Sequence, residues 1–188
     1  TQASTLSLQA EGGDILFTGA QVVATQDLSA SAAKAVISDN ASLWAMQLRV
    51  EAQSLSNRGG DIVQQGAGEF VLRLPGDLDN TGGRIATNSQ RMVVQAGTLG
   101  NAQGSLATTG RMTVSAGNLV NSGGRVQALG DLQLTIDGAL DNRAGLIRSA
   151  QALDIAAARL DNDGTQASGL GLEGQAVRLQ GATLSNRG

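Results

Sequence analysis

The 188-residue sequence contains no cysteine, no histidine and no tyrosine, and only one proline and one tryptophan. Without cysteine there are no disulfides and no thiolate metal sites. Without histidine the most versatile general base and metal ligand is missing. Two phenylalanines and one tryptophan leave little material for a bulky aromatic core and point to a narrow interior. Charge is also scarce: charged residues make up 15%, and the net charge of −3 argues against a nucleic-acid partner or an anionic membrane surface. No run of 18 apolar residues suggests a membrane span, and no signal peptide is present, so a targeting signal would lie outside this stretch. The length would suit one globular domain, but in a repeat protein length counts coils instead.

What the chain does have is glycine, 26 residues of it, and a stretch that keeps returning. It reads Leu55-Ser56-Asn57-Arg58-Gly59-Gly60-Asp61-Ile62, then Leu78-Asp79-Asn80-Thr81-Gly82-Gly83-Arg84-Ile85. Shorter copies open at Leu99, Leu119, Leu140, Leu160 and Leu184, so the leading leucines are 23, 21, 20, 21, 20 and 24 residues apart. A fixed period of this size is the signature of a solenoid. Each unit then runs through a short β-leaning touch (Ile62, Ile85, Leu106, Val126 or Ile147) into an alternating segment such as Met92-Val93-Val94-Gln95-Ala96 or Leu132-Gln133-Leu134-Thr135-Ile136. Apolar residues at every second position mark half-buried strands, not helices.

One such unit cannot bury its apolar face alone, but stacked units can, each strand pairing with its copy one turn later. The expected fold is therefore all-β, a right-handed parallel β-helix of about eight coils of 20–24 residues. At a spacing of about 4.8 Å per coil the rod is roughly 40 Å long. Residues 55–188 are the regular array. Residues 1–54 are irregular coils of the same continuous β-helix, cut from a longer shaft. In that first stretch Leu8-Gln9-Ala10-Glu11-Gly12-Gly13-Asp14-Ile15 matches the frame with alanine for asparagine, and Leu28 is expected to open the next coil. The clean alternation after Trp44 places Leu48, Val50 and Ala52 inside, with Trp44 near a bend or on the surface, as packing or as a carbohydrate-stacking residue. Pro75 falls in a turn, where its missing N–H is tolerated. Beyond residue 160 the frame drifts, and residues 163–175 are expected to bulge.

Asn57, Asn80, Asn101, Asn121, Asn142, Asn162 and Asn186 share one position in successive coils. Stacked amides there form a structural ladder, each side chain bonding its own turn and the amides above and below. The accompanying Gly-Gly pairs supply positive φ. Enzymatic chemistry is not expected. Stacking would bring Asp131 near Asp154 and Asp141 near Asp161, as a glycosidase requires. But Asp141 and Asp161 share the position of Asp79 and read as turn residues. Calcium binding of the β-roll kind needs a shorter repeat and tolerates no arginine after Gly-Gly, where Arg84 and Arg125 stand. No metal or other cofactor is expected. Arg84, Arg111, Arg125 and Arg148 are exposed candidates for an acidic or sulfated glycan, but they are interleaved with Asp61 and Asp131.

The Leu-Asp-Asn-x-Gly-Gly-x-Ile frame with its following strand, clearest at 78–85, 119–126 and 140–147, resembles the filamentous haemagglutinin repeat. That repeat builds the shafts of large two-partner-secreted bacterial exoproteins, among them haemagglutinin adhesins and contact-dependent growth inhibition effectors. The resemblance covers residues 55–188 well and 8–54 loosely. It implies secretion through an outer-membrane two-partner-secretion transporter and display at the bacterial cell surface as a rigid rod that presents an adhesive or toxin-delivery tip. It leaves open that the shaft itself binds a target-cell receptor or glycan.

Overall fold

The computed structural model describes residues 1–167 and 169–188. Every strand pair in it is parallel, and the strands form two stacked sheets. The first sheet climbs through Gln2–Ala3, Gln21–Ala32, Ser42–Glu51, Asp61–Gln64, Arg84–Thr87, Ser105–Thr108, Arg125–Ala128, Leu146–Ser149 and Gly171–Glu173. The second climbs through Ile15–Leu16, Ala35–Ile37, Ser54–Ser56, Leu78–Asp79, Arg91–Gly100, Arg111–Val120, Leu132–Asp141, Ala152–Asp161 and Ala176–Gln180. The β-solenoid thus has about nine turns, one more than the repeat count predicts.

Those N-terminal coils are also phased differently from the expectation. Leu28 opens no coil; it sits inside the strand Gln21–Ala32, in register with Leu48. The column of leading leucines continues downward from Leu55 through Val36 to Ile15. The frame match at Leu8–Ile15 is likewise out of phase, because Leu8 and Ala10 pair with Ala30 and Ala32. The turn of that coil follows Ile15, with Phe17 where later coils carry asparagine: its N–H bonds the Ile37 carbonyl as that of Asn57 bonds Asp79.

The interior is a set of vertical columns. Leu55, Leu78, Leu99, Leu119, Leu140 and Leu160 stack in register and are all buried. Ile62, Ile85, Leu106, Val126 and Ile147 form a second column, and Phe70, Met92, Met112, Leu132 and Leu153 a third. Identical positions carry interchangeable aliphatic shapes, so each residue packs against a near-copy of itself above and below. Full burial of such a side chain is worth about 1.5–3 kcal/mol. Leu48 and Val50 point inward and Ala52 is partly buried, as the alternation requires. Trp44 lies in mid-strand, not at a bend, on the outer face between Val23 and Val63. From Arg91 on, the alternating segment and the leading-leucine segment merge into strands of ten residues, whose inward alternation changes phase around Gly97, Gly117 and Gly138. The 21-residue interval from Leu119 to Leu140 absorbs its extra residue as a bulge, where Asn118 Oδ1 accepts the Ala139 N–H at 2.9 Å.

In the regular coils the two glycine positions have different duties. Only the first adopts positive φ: +59° at Gly59, +63° at Gly82, +64° at Gly123 and +70° at Gly164. Gln103 (56°) and Ala144 (51°) hold the same left-handed position with a Cβ, at about 1–2 kcal/mol each. Ala144→Gly is therefore expected to stabilise the fold by about 0.5–1 kcal/mol, after glycine's own entropy cost is subtracted. A higher urea midpoint at unchanged slope would check it; an unchanged midpoint would mean that the turn relieves the strain.

Candidate functional site

The longest constellation of buried polar groups is the asparagine column. Asn57, Asn80, Asn101, Asn121 and Asn142 are fully buried and Asn162 nearly so, while Asn186 in the last coil is exposed. Each Nδ2 donates to the Oδ1 of the asparagine one coil further along: 2.8 Å from Asn57 to Asn80, 2.7 Å to Asn101, 2.7 Å to Asn121, 2.6 Å to Asn142, 2.6 Å to Asn162 and 2.7 Å to Asn186. All six bonds run the same way, so the amide dipoles add along the rod. Ser38 starts the run, its Oγ donating to Asn57 Oδ1 at 3.0 Å. The amide hydrogens are also shared with the carbonyls of Gly60, Gly83, Gly104, Gly124 and Gly145 in the same turns. No buried side-chain nitrogen or oxygen among the described residues lacks a partner. The column leaves nothing free to meet a ligand.

The aspartate beside it does turn work. Asp79, Asp141 and Asp161 each accept the N–H two residues on, from Thr81, Arg143 and Asp163, the hydrogen bond of an Asx-turn. Stacking does bring Asp141 and Asp161 into register on adjacent coils. Asp141, however, is engaged by both Nε and Nη2 of Arg143 at 2.9 and 2.7 Å, and Asp161 lies 3.8 Å from Arg159. Asp131 accepts the Ala152 N–H, and Asp154 lies 3.9 Å from Arg178. The hydrogen bonds and charge of Arg143 hold the Asp141 carboxyl below the usual carboxylate range. Partial burial pushes Asp79 up, but bonds from Thr81 and Arg58 outweigh it and leave its carboxyl low. Asp163 is lowered by the Arg187 N–H and the Ser185 hydroxyl.

These depressed values fix the sign of the pH response. Carboxylates stabilised in the folded state contribute fully above their unfolded pKa of about 3.9, and the contribution is lost as pH falls through the lower folded values. With no histidine, no side chain titrates in its ordinary range between about pH 5 and 8. The melting temperature should be flat over that interval and fall only below about pH 4. A drop between pH 7 and 5 in a thermal scan would contradict this assignment.

Of the expected arginines, Arg84 and Arg148 border one groove on the first sheet, and Arg111 stands apart from them. Arg84 and Arg125 share a column with Ser105 between them, and Arg84 pairs with Asp61 at 2.9 Å. Arg148 stands in the next outward column, 3.5 Å from Glu173. Arg111 lies on the other sheet, in register with Arg91, which pairs with Glu69. The structure does not assemble them into one patch.

Sequence reasoning missed Ser38, at the start of the amide column, and Gln64. Gln64 has Thr87 above it in its own column and Ala45 below, but it is a fully buried polar side chain. Its Oε1 accepts the Leu48 N–H at 3.0 Å, and its Nε2 donates to the carbonyls of Gly66 (3.3 Å) and Gly68 (2.7 Å). It thereby pins the extra loop that makes the Leu55-to-Leu78 interval 23 residues. That long interval and its Gln65-Gly66-Ala67-Gly68 insertion are the signal that could have drawn attention to it. The expected bulge at 163–175 has Thr165 in place of the second glycine, its Oγ1 taking the Asn162 amide at 3.1 Å. Ser168, within that bulge, lies outside the described residues.

Parallel rungs and an internal amide ladder make the described residues a β-solenoid, and the Leu-x-Asn-x-Gly-Gly frame of its regular coils fits repeats of the filamentous haemagglutinin type. The chain is 40% identical over 106 residues to a curated protein from Yersinia pestis named Toxin CdiA. The match covers 56% of this chain and 3% of that protein. No family model matches the chain, and no solved structure does. The similarity and the solenoid together fit a repeat region of a two-partner exoprotein.

Proposed function

We propose that these coils are a shaft segment of a large two-partner-secreted bacterial exoprotein of the growth-inhibition kind, secreted through an outer-membrane transporter and displayed at the cell surface. Its role is to hold a toxin-delivering or adhesive tip at a distance. The segment itself performs no catalysis. The observation that carries this reading is the unbroken polar column from Ser38 to Asn186. A rod whose internal polar groups are spent on one another, coil after coil, resists bending and offers no open chemistry. The similarity to Toxin CdiA supports the exoprotein context.

A spacer demands register, not residue identity. In the whole exoprotein, excision of residues 80–100 removes one coil and joins Asp79 directly to Asn101, so the Asp-Asn step of the turn is restored. Target-cell inhibition or adhesion should survive that excision. Removal of half a coil, residues 80–89, should abolish display at the cell surface. Loss of target-cell binding after the whole-coil excision, with display intact, would overturn the spacer reading in favour of a receptor or glycan site on the shaft.

A further inference from the structure

One interface between coils is held by less backbone than its neighbours. The coil that carries Ser42–Glu51 and Ser54–Ser56 meets the next through a ladder of four residues, Ser42–Ala45 on Asp61–Gln64, and one of two, Leu55–Ser56 on Leu78–Asp79. The interface below it is laddered over nine and three residues, and Arg91–Gly100 alone is laddered to Arg111–Val120 over nine. Between the two short ladders, residues 47–51 lie under residues 69–73 with no strand pairing. The two segments still pack, since Leu48, Val50, Phe70 and Leu72 are buried. Side chains stand in for the missing ladder. Gln64 Oε1 accepts the Leu48 N–H at 3.0 Å and the Gln47 amide at 3.3 Å, and that amide also donates to the Glu69 carbonyl at 3.0 Å. The outer surface of this seam is a groove lined by Gln47, Glu69, Val71 and Arg73, so water reaches it.

The coils on the two sides of the seam are also unequal. Below it, five buried positions hold alanine: Ala24, Ala30, Ala32, Ala41 and Ala45. Above it, four buried alanines are spread through more than twice the length of chain, and the core carries Phe70, Met92 and Met112. A smaller buried side chain removes less apolar surface from water and stabilises its coil less. The asparagine ladder runs down to Asn57 and ends on Ser38, and Phe17 takes the next place. In a solenoid, cooperativity passes from coil to coil through nearest-neighbour interfaces. A weaker block behind a weaker interface opens before the remainder does.

We infer that the solenoid is two cooperative units coupled at this seam: the coils of residues 1–56 open together, at a lower denaturant concentration than the coils of residues 61–188. The asparagine corner of the interface is complete, with Asn57 Nδ2 donating to Asn80 Oδ1 at 2.8 Å and Arg58 paired to Asp79. Opening therefore starts at residues 47–51 and reaches that corner last. In a rod under load this is where the shaft gives first. That consequence rests on the spacer reading, whereas the division into two units rests on the ladders and the core, and its test is indifferent to what the rod carries.

Trp44 is the only tryptophan and lies in the lower unit, so its fluorescence reports that unit alone. Far-ultraviolet circular dichroism is weighted by the longer upper array. Urea unfolding of the full chain should place the fluorescence midpoint at least about 0.5 M below the dichroism midpoint. Between the two midpoints, the amides of Leu28, Ala30 and Leu43 should lose protection together, at least tenfold, while those of Val114 and Leu134 keep theirs. Deletion of Gly66 and Ala67 shortens the step from Ile62 to Phe70 from eight residues to the six that separate Leu106 from Met112 and Val126 from Leu132. It should let the wall close and bring the two midpoints together. Coincident midpoints in the parent chain overturn the proposal. So does a graded loss of protection from Gln2 inward, which is fraying, and so does a deletion variant that folds but keeps the two midpoints apart. If that variant does not fold, the exchange pattern of the parent chain decides by itself.

Discussion

Gly83→Ala is expected to destabilise the solenoid by about 3–5 kcal/mol, whereas Gly82→Ala, one residue away, should cost about 1–2 kcal/mol. The two glycines belong to one turn but answer to different constraints. Gly82 has φ +63°, and a Cβ on it would meet nothing within 4 Å. Its substitution is penalised only by the left-handed backbone. Gly83 has an ordinary φ, but a Cβ there would stand 2.0 Å from the Asn57 carbonyl oxygen, 2.8 Å from Asn80 Oδ1 and 2.9 Å from Asn57 Nδ2. None of these atoms is the free end of a flexible side chain. The coil would have to lift, and lifting it breaks the amide ladder at that step. The same collision recurs at Gly104 (2.2 Å from Asn80 O), Gly124 (2.1 Å from Asn101 O) and Gly145 (2.3 Å from Asn121 O). Urea unfolding of the paired variants checks the ranking. Equal losses at Gly82 and Gly83 would mean that the coils are free to spread.

This division of labour explains why much of the molecule is legible in one dimension. The leading leucine, the asparagine and the second glycine are each fixed by a contact with their own copies, so they recur visibly in the sequence. The first glycine is fixed by backbone conformation alone, and Gln103 and Ala144 replace it at tolerable cost. The N-terminal coils hide their phase because Ile15 and Val36 fill the leucine column, and Phe17 and Ser38 the asparagine column. Shape is kept there and the letters are not, so a match by letters at 8–15 falls on the wrong wall. The loop pinned by Gln64 is hidden for the opposite reason. It occurs once, and periodicity reports only what repeats. Its trace is a lengthened interval, and nothing in a 23-residue spacing says that a buried glutamine side chain holds the added residues. The placement of Asp141 beside Asp161 was readable from the period, but their engagement by Arg143 and Arg159 depends on side-chain directions that no spacing supplies.

The asparagine column makes the sharpest demand on chemistry. Asn101→Ala should cost about 2–4 kcal/mol. Asn101 Oδ1 accepts from Asn80 at 2.7 Å, and its Nδ2 donates to Asn121 Oδ1 at 2.7 Å and to the Arg125 carbonyl at 3.1 Å. Truncation leaves Asn121 Oδ1 and that carbonyl buried without their donor, and opens a void in a site of zero exposure. Asn101→Asp keeps the shape and tests the donor separately. An ionised aspartate can accept from Asn80 but presents a second anionic oxygen to Asn121 Oδ1, so at neutral pH it should be at least as damaging as alanine. Burial and facing acceptors raise its folded pKa above the unfolded value of about 3.9. The folded state then binds the extra proton, and stability lost at pH 7 returns as pH falls through the raised value. Acidification from about pH 7 to 5 should therefore stabilise Asn101→Asp while leaving the parent chain unchanged, since the parent has no histidine and its perturbed carboxylates titrate lower. The two slopes, measured by thermal melting, separate the missing donor from a missing volume. A flat profile for the aspartate variant would mean that water enters the column and that the ladder is not the sealed, directional chain its distances describe.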